Sequence, residues 1–130
     1  MSPFSNIPLR TILAIDAATC LGMGAALALG SGPIAGLTGL PPNLLLWAGL
    51  VLLPTAVFIA IVARRPFGWG VRAVVLGNVL WVGASLLVLA GASGANALGV
   101  AFVLAQAAVV AVFAWCEAAG GRAEVQALAG

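Results

Sequence analysis

Hydrophobic positions in this chain fall into four long runs, and polar positions collect between them. The runs extend from about Leu9 to Leu29, Leu44 to Ala63, Gly70 to Ala90 and Ala97 to Ala119. Each is close to the ~20 apolar residues that carry a helix across ~30 Å of hydrocarbon. The breaks are SGPIAGLTGLPPN, ARRPFGW and GASGAN. The first is rich in Gly and Pro and is expected to be a loop. The third is short enough to force an antiparallel hairpin. The pattern predicts an all-α, polytopic membrane protein: one transmembrane domain over residues 1–130, a four-helix bundle, and a short, frayed helical tail over 120–130 on the cytoplasmic side.

Polar residues that interrupt the runs are few, and their positions matter more than their number. Asp16 falls inside the first run. When the first run is set over the third, Arg10 aligns with Arg72 and Asp16 with Asn78. Asn43-Leu44-Leu45 and Asn96-Ala97-Leu98 then precede the second and fourth runs alike. This suggests a duplicated helical hairpin, although any two apolar helices share much of a small alphabet. Asp16 and Asn78 each lie six residues inside an arginine. At 1.5 Å per residue that is ~9 Å into the membrane for both. An ionised side chain at such depth is costly, so Asp16 is expected to face the bundle interior, paired with Asn78 or protonated. Asp16, Thr19, Cys20 and Met23 share a helix face by three-and-four spacing, as do Asn78, Trp81 and Ser85; Gln106 lies mid-run in the fourth. Together they predict a polar stripe, which either packs the helices by hydrogen bonds or lines a small cavity. Pro54 interrupts the second run, frees the Leu50 carbonyl and kinks the helix, forming a hinge or cavity wall in the sharper reading; Thr55 beside it is placed to re-satisfy the backbone. Gly22, Gly24, Ala28, Gly77 and Ala84 permit close helix approach. Glu117, with Arg122 and Glu124, reads as part of a solvated helix end, within reach of Arg64 or Arg65.

Composition changes the picture only by exclusion. The 130 residues are 64% hydrophobic and 6% charged, with a net charge of +2 and no His. A soluble domain carries about a quarter charged residues. No basic, aromatic-interleaved patch points to nucleic acid. Absence of His removes the commonest metal ligand and general base, and no metal or cofactor motif stands in its place. GWGVRAVVLG follows no strand and is not a phosphate loop. Cys20 and Cys116 lie in apolar runs and are expected to be reduced and buried. Cys20, one turn from Asp16, is the only candidate catalytic dyad, so no enzyme is expected. The abundance of Ala and Gly without Lys hints at a GC-rich bacterial genome.

Charge sets the direction of threading. All five basic residues are arginines. Arg10 precedes the first run, Arg64, Arg65 and Arg72 bracket the second break, and Arg122 follows the fourth run. Four spans place all of them on one side, which the positive-inside rule makes cytoplasmic. Both termini are then cytoplasmic and the location is the inner membrane. Trp47, Trp69 and Trp115 fall at run ends, where indoles favour the interface, and Trp81 falls near mid-membrane. A cleavable signal peptide ending at Ala26-Leu27-Ala28 is the rival for the first run. The length of that run and the acid inside it favour a retained span.

GNVLWVGASLLVL, followed by ANALGVAFVLAQA, resembles a group of small four-span bacterial membrane proteins of unassigned function. The resemblance implies four helices and an inner-membrane location and supplies no activity. Small multidrug resistance transporters share the size, span count and an acid in span one, but their acid is Glu and their aromatic patterns are missing here. The expected function is a non-catalytic subunit or assembly factor of a membrane complex, in contact with lipid and with other membrane subunits or a second copy. The alternative is a small proton- or cation-coupled transporter with Asp16 as the coupling carboxylate.

Overall fold

The computed structural model describes residues 8–91 and 94–129, with side chains as far as Arg122. Glu124, Ala92 and Ser93, on which parts of the sequence reading fall, lie outside the described side chains. Five helices follow one another: α1 (Leu9–Leu29), α2 (Ser31–Thr38), α3 (Pro42–Arg64), α4 (Gly68–Ala90) and α5 (Ala97–Ala129). Helices α1, α3, α4 and the Ala97–Arg122 part of α5 are long and apolar enough to cross a membrane. The chain is a multi-pass membrane protein of helical-bundle architecture.

The predicted span ends hold to within a few residues, with one correction. SGPIAGLTGLPPN, expected to be a loop, contains the eight-residue helix α2. Its Pro33 lies in the first turn, where the missing N–H costs nothing, and its helix stops at Gly39 with φ 74°, a conformation glycine adopts freely. The tail past Ala119 continues as helix to Ala129, in line with the helical tail expected there.

Helix α1 shows why this bundle holds together. Its buried residues, Leu9, Ile12, Leu13, Asp16, Ala17, Cys20, Gly24 and Leu27, recur at three-and-four spacing and form one continuous stripe. The stripe packs chiefly against α3, forming the first hairpin, and α4 packs against α5 to form the second. The hairpins meet along α1 and α5, whereas α3 and α4 barely touch. Helices α1 and α4 are diagonal neighbours with no close backbone approach among the described residues.

Among the spanning helices, small residues permit a close crossing at Gly49. A Cβ built on Gly49 would stand 2.6 Å from Ala28 N and 2.7 Å from Gly24 O, so only glycine lets α1 and α3 approach this closely. Gly22 and Gly77, expected to serve the same purpose, face open space, with nothing within 4 Å of an added Cβ. Their glycines therefore do not mediate packing.

The two ends of the bundle differ in chemistry. Arg10, Arg64, Arg65, Arg72 and Arg122 all fall at the end formed by the α1 start, the α3–α4 turn and the α5 exit, and all are exposed. At the opposite end α2 lies across the bundle. Asn96 fastens it there: its backbone N–H donates to Thr38 O at 2.9 Å and its Nδ2 to Leu37 O at 2.9 Å. The same side chain accepts from Gly99 N at 2.9 Å and so caps α5. Asn43, its counterpart in the proposed repeat, is the second residue of α3, because Pro42 opens that helix. The two asparagines are not structurally equivalent.

Candidate functional site

Asn78, on α4, stands at the centre of a buried polar cluster. Its Nδ2 donates to Asp16 Oδ2 of α1 at 2.9 Å and to Glu117 Oε1 of α5 at 2.7 Å. A primary amide nitrogen has two hydrogens, and both are used. Cys20, one turn beyond Asp16, directs its thiol at Asp16 Oδ1 at 3.6 Å. Asp16 is 2% exposed, Asn78 7% and Glu117 0%. One side chain from each of three helices thus converges where α1 and α4 have no direct backbone contact. Asn78 spans the diagonal.

Glu117 corrects the sequence reading. It does not belong to a solvated helix end and does not meet Arg64 or Arg65, which are exposed on the other hairpin's end. Its Oε1 instead accepts from Asn78 Nδ2 at 2.7 Å. Its second oxygen, Oε2, is buried without a hydrogen-bond partner. A signal for this was present in the sequence. Glu117 lies five residues inside Arg122, nearly the same depth as Asp16 inside Arg10.

The arginines do not neutralise the cluster. Arg10 reaches over to α3, where its Nε donates to Ala63 O at 3.4 Å. Arg72 is exposed on the first turns of α4. Two carboxyl groups therefore share one neutral donor and one weak thiol donor. Burying two carboxyl groups with so few donors carries a desolvation cost that this cluster only partly offsets. Among the described residues, no group of three His, Cys, Asp or Glu is arranged to hold a metal ion.

A second polar group lies further along the bundle, within the α4–α5 hairpin. Trp81 Nε1 donates to Gln106 Oε1 at 2.8 Å, and Gln106 Nε2 donates to Ser85 Oγ and to Val103 O, each at 2.9 Å. Ser85 Oγ donates to Trp81 O at 2.8 Å. Every polar group here is satisfied, so this trio holds α4 against α5. The single polar stripe expected from the sequence is therefore two separate clusters.

Two expected members fall outside both. Thr19 is exposed on the lipid-facing side of α1, and its hydroxyl donates to Ile15 O at 2.8 Å. Pro54 is exposed and lines neither cavity near the carboxyl groups, so it is not a wall of that site. Thr55 Oγ1 does re-satisfy backbone, but at Val51 O, 2.8 Å away, and not at Leu50. Trp47, Trp69 and Trp115 are 64%, 69% and 70% exposed, as interfacial indoles should be, and Trp69 stacks obliquely on Phe67 with centroids 4.7 Å apart.

No protein family, no curated protein and no solved structure matches the chain. The reading of its function rests on this geometry.

Proposed function

We propose that this chain is a small non-enzymatic protein of the bacterial inner membrane whose Asp16–Asn78–Glu117 cluster binds a proton reversibly, as the coupling site of a proton-coupled transporter. Glu117 Oε2 carries the reading: a buried carboxyl oxygen without a donor, in a cluster with Asp16 where both hydrogens of the Asn78 amide are already used. A proton held between Asp16 and Glu117 supplies the missing hydrogen bond and removes one of two charges that lipid cannot solvate. Ionisable groups at this depth are the usual markers of proton pathways. Loss of that proton leaves two like charges facing each other across α1 and α5, a force that only helix displacement relieves. That displacement is the coupling step.

By the positive-inside rule, the arginine-rich end supports an orientation with that end and both termini in the cytoplasm. The cluster then lies in the cytoplasmic half of the bilayer. Reporter fusions at the C-terminus and in the α2 region test this, the expected result being a cytoplasmic C-terminus and an external α2.

Infrared difference spectroscopy of the folded protein in lipid tests the proton site. A protonated carboxyl band that titrates reversibly, and that disappears in both Asp16→Asn and Glu117→Gln, is expected. A protein with no such band at any pH at which it stays folded carries no exchangeable proton there. A second reading, an accessory or assembly subunit, is favoured by the way Asn78 ties three helices into one static clamp. Native mass spectrometry after gentle extraction separates the two, since a defined hetero-assembly supports the subunit.

A further inference from the structure

Arg10 and Arg64 come together at the arginine-rich end. Arg10 is the second residue of α1 and Arg64 the last of α3, so the packing of these two helices in one hairpin brings them level. Arg10 Nε donates to Ala63 O at 3.4 Å, which sets its guanidinium against the carbonyl next to Arg64. Both arginines line one open hollow of about 790 Å³ between α1 and α3. Neither has a counter-charge among the described residues. The chain has three acidic residues. Asp16 and Glu117 are taken up in the Asn78 cluster, and Glu124 lies outside the described side chains. Arg64 makes no side-chain hydrogen bond to a described residue, and Arg10 uses one of the five N–H donors of its guanidinium. Thr11 adds a free hydroxyl to the same wall. The hydroxyls of Thr19, Thr38 and Thr55 each turn back onto their own helix, whereas that of Thr11 bonds to no described residue.

We propose that this hollow binds the phosphate of one anionic phospholipid, in the leaflet at the arginine-rich end, between Arg10 and Arg64. Two like charges held side by side without a carboxylate are relieved by an anion placed between them. Guanidinium forks match the paired oxygens of a phosphate. The lining selects a lipid over a free anion, because the hollow is charged at its mouth and apolar at its foot. Ala14, Ala18 and Ala60 line the foot, and Ala18 lies eight residues past Arg10, ~12 Å along α1. That is the polarity profile of a headgroup followed by the start of its acyl chains. A second copy is a poor occupant. It offers no exposed carboxylate among the described residues and brings the same arginines to the same level. The site is separate from the Asp16 cluster and does not rest on the proton reading.

The test uses the full chain in mild detergent, titrated with phosphatidylglycerol, with phosphatidylcholine of the same acyl chains, or with inorganic phosphate, and read by native mass spectrometry. The expected result is saturation at one phosphatidylglycerol per chain, weaker and unsaturated binding of phosphatidylcholine, and no displacement of the lipid by excess inorganic phosphate. Arg10→Gln and Arg64→Gln are each expected to weaken phosphatidylglycerol binding by about tenfold, the worth of one lost charge-assisted bond. Arg72→Gln removes the same charge from the same end but lies outside the hollow, and is expected to change binding less than about twofold. Equal losses in all three variants show diffuse attraction to the whole end and overturn the proposal. Equal retention of the two lipids marks ordinary bilayer contact, and full displacement by inorganic phosphate marks a free-anion site; either overturns it as well. The comparison of ligands uses the unaltered protein, so it decides the matter even where an arginine variant does not fold.

Discussion

Asn78 and Glu117 are joined by a 2.7 Å hydrogen bond, while the other hydrogen of the same amide goes to Asp16 on a helix that does not approach α4 closely. One neutral side chain therefore mediates between two acidic ones. Removing it costs more than one bond. Hydrogen bonds inside membranes average only ~0.6 kcal/mol, but a buried acceptor left without a donor costs about 1–3 kcal/mol. Asn78→Leu is expected to lower stability by about 2 kcal/mol, measured by denaturant titration followed by circular dichroism.

Glycine 49 gives a steric prediction. Gly49→Leu drives a side chain against the α1 backbone at Gly24 and Ala28 and should destabilise by about 1–3 kcal/mol. Gly22→Ala should be neutral or slightly stabilising, because that position is open and alanine favours helix. Thermal unfolding of the two variants side by side checks the contrast.

At the end opposite the arginines, Asn96→Ala removes the α5 cap and one tie to α2. A lost N-cap costs typically ~1 kcal/mol. Amide hydrogen exchange should speed up in α2 and in the first turn of α5, and stay unchanged around Asp16.

Gln106→Leu separates the second cluster from the first. Trp81 loses the acceptor of its indole N–H, at a cost of about 1 kcal/mol. Trp81 emission should shift in a variant in which the other three tryptophans are replaced by Phe. The carboxyl infrared band should not move, because Gln106 bonds no member of the Asp16 cluster.

The spans and the matched level of Asp16 and Asn78 were legible in the sequence because both follow from distance along a helix. Hydrophobic run length set the first and the spacing from arginine set the second. Glu117 obeys the same spacing rule. It was misassigned because acidic residues near a helix end usually meet water, and only the packing of α5 against α1 and α4 shows that this one does not. Thr19 failed for the opposite reason: three-residue spacing places it at the edge of the Asp16 face, and its hydroxyl is satisfied by its own backbone. Helix α2 was hidden by Gly and Pro that normally punctuate loops, and that here sit in its first turn and just past its end.

The fastening of α2 by Asn96 has a mechanical consequence. The two hairpins are stapled by polar bonds at the α2 end through Asn96 and towards the arginine-rich end through Asn78, and between those staples their contact is chiefly apolar among the described residues. Apolar contacts slide at little cost, whereas the staples do not. A bilayer that thins or thickens therefore loads the middle of the bundle, which bows while its ends keep their registry. In that sense the molecule is a leaf spring clamped at both tips, and its stiffness is set by two asparagines.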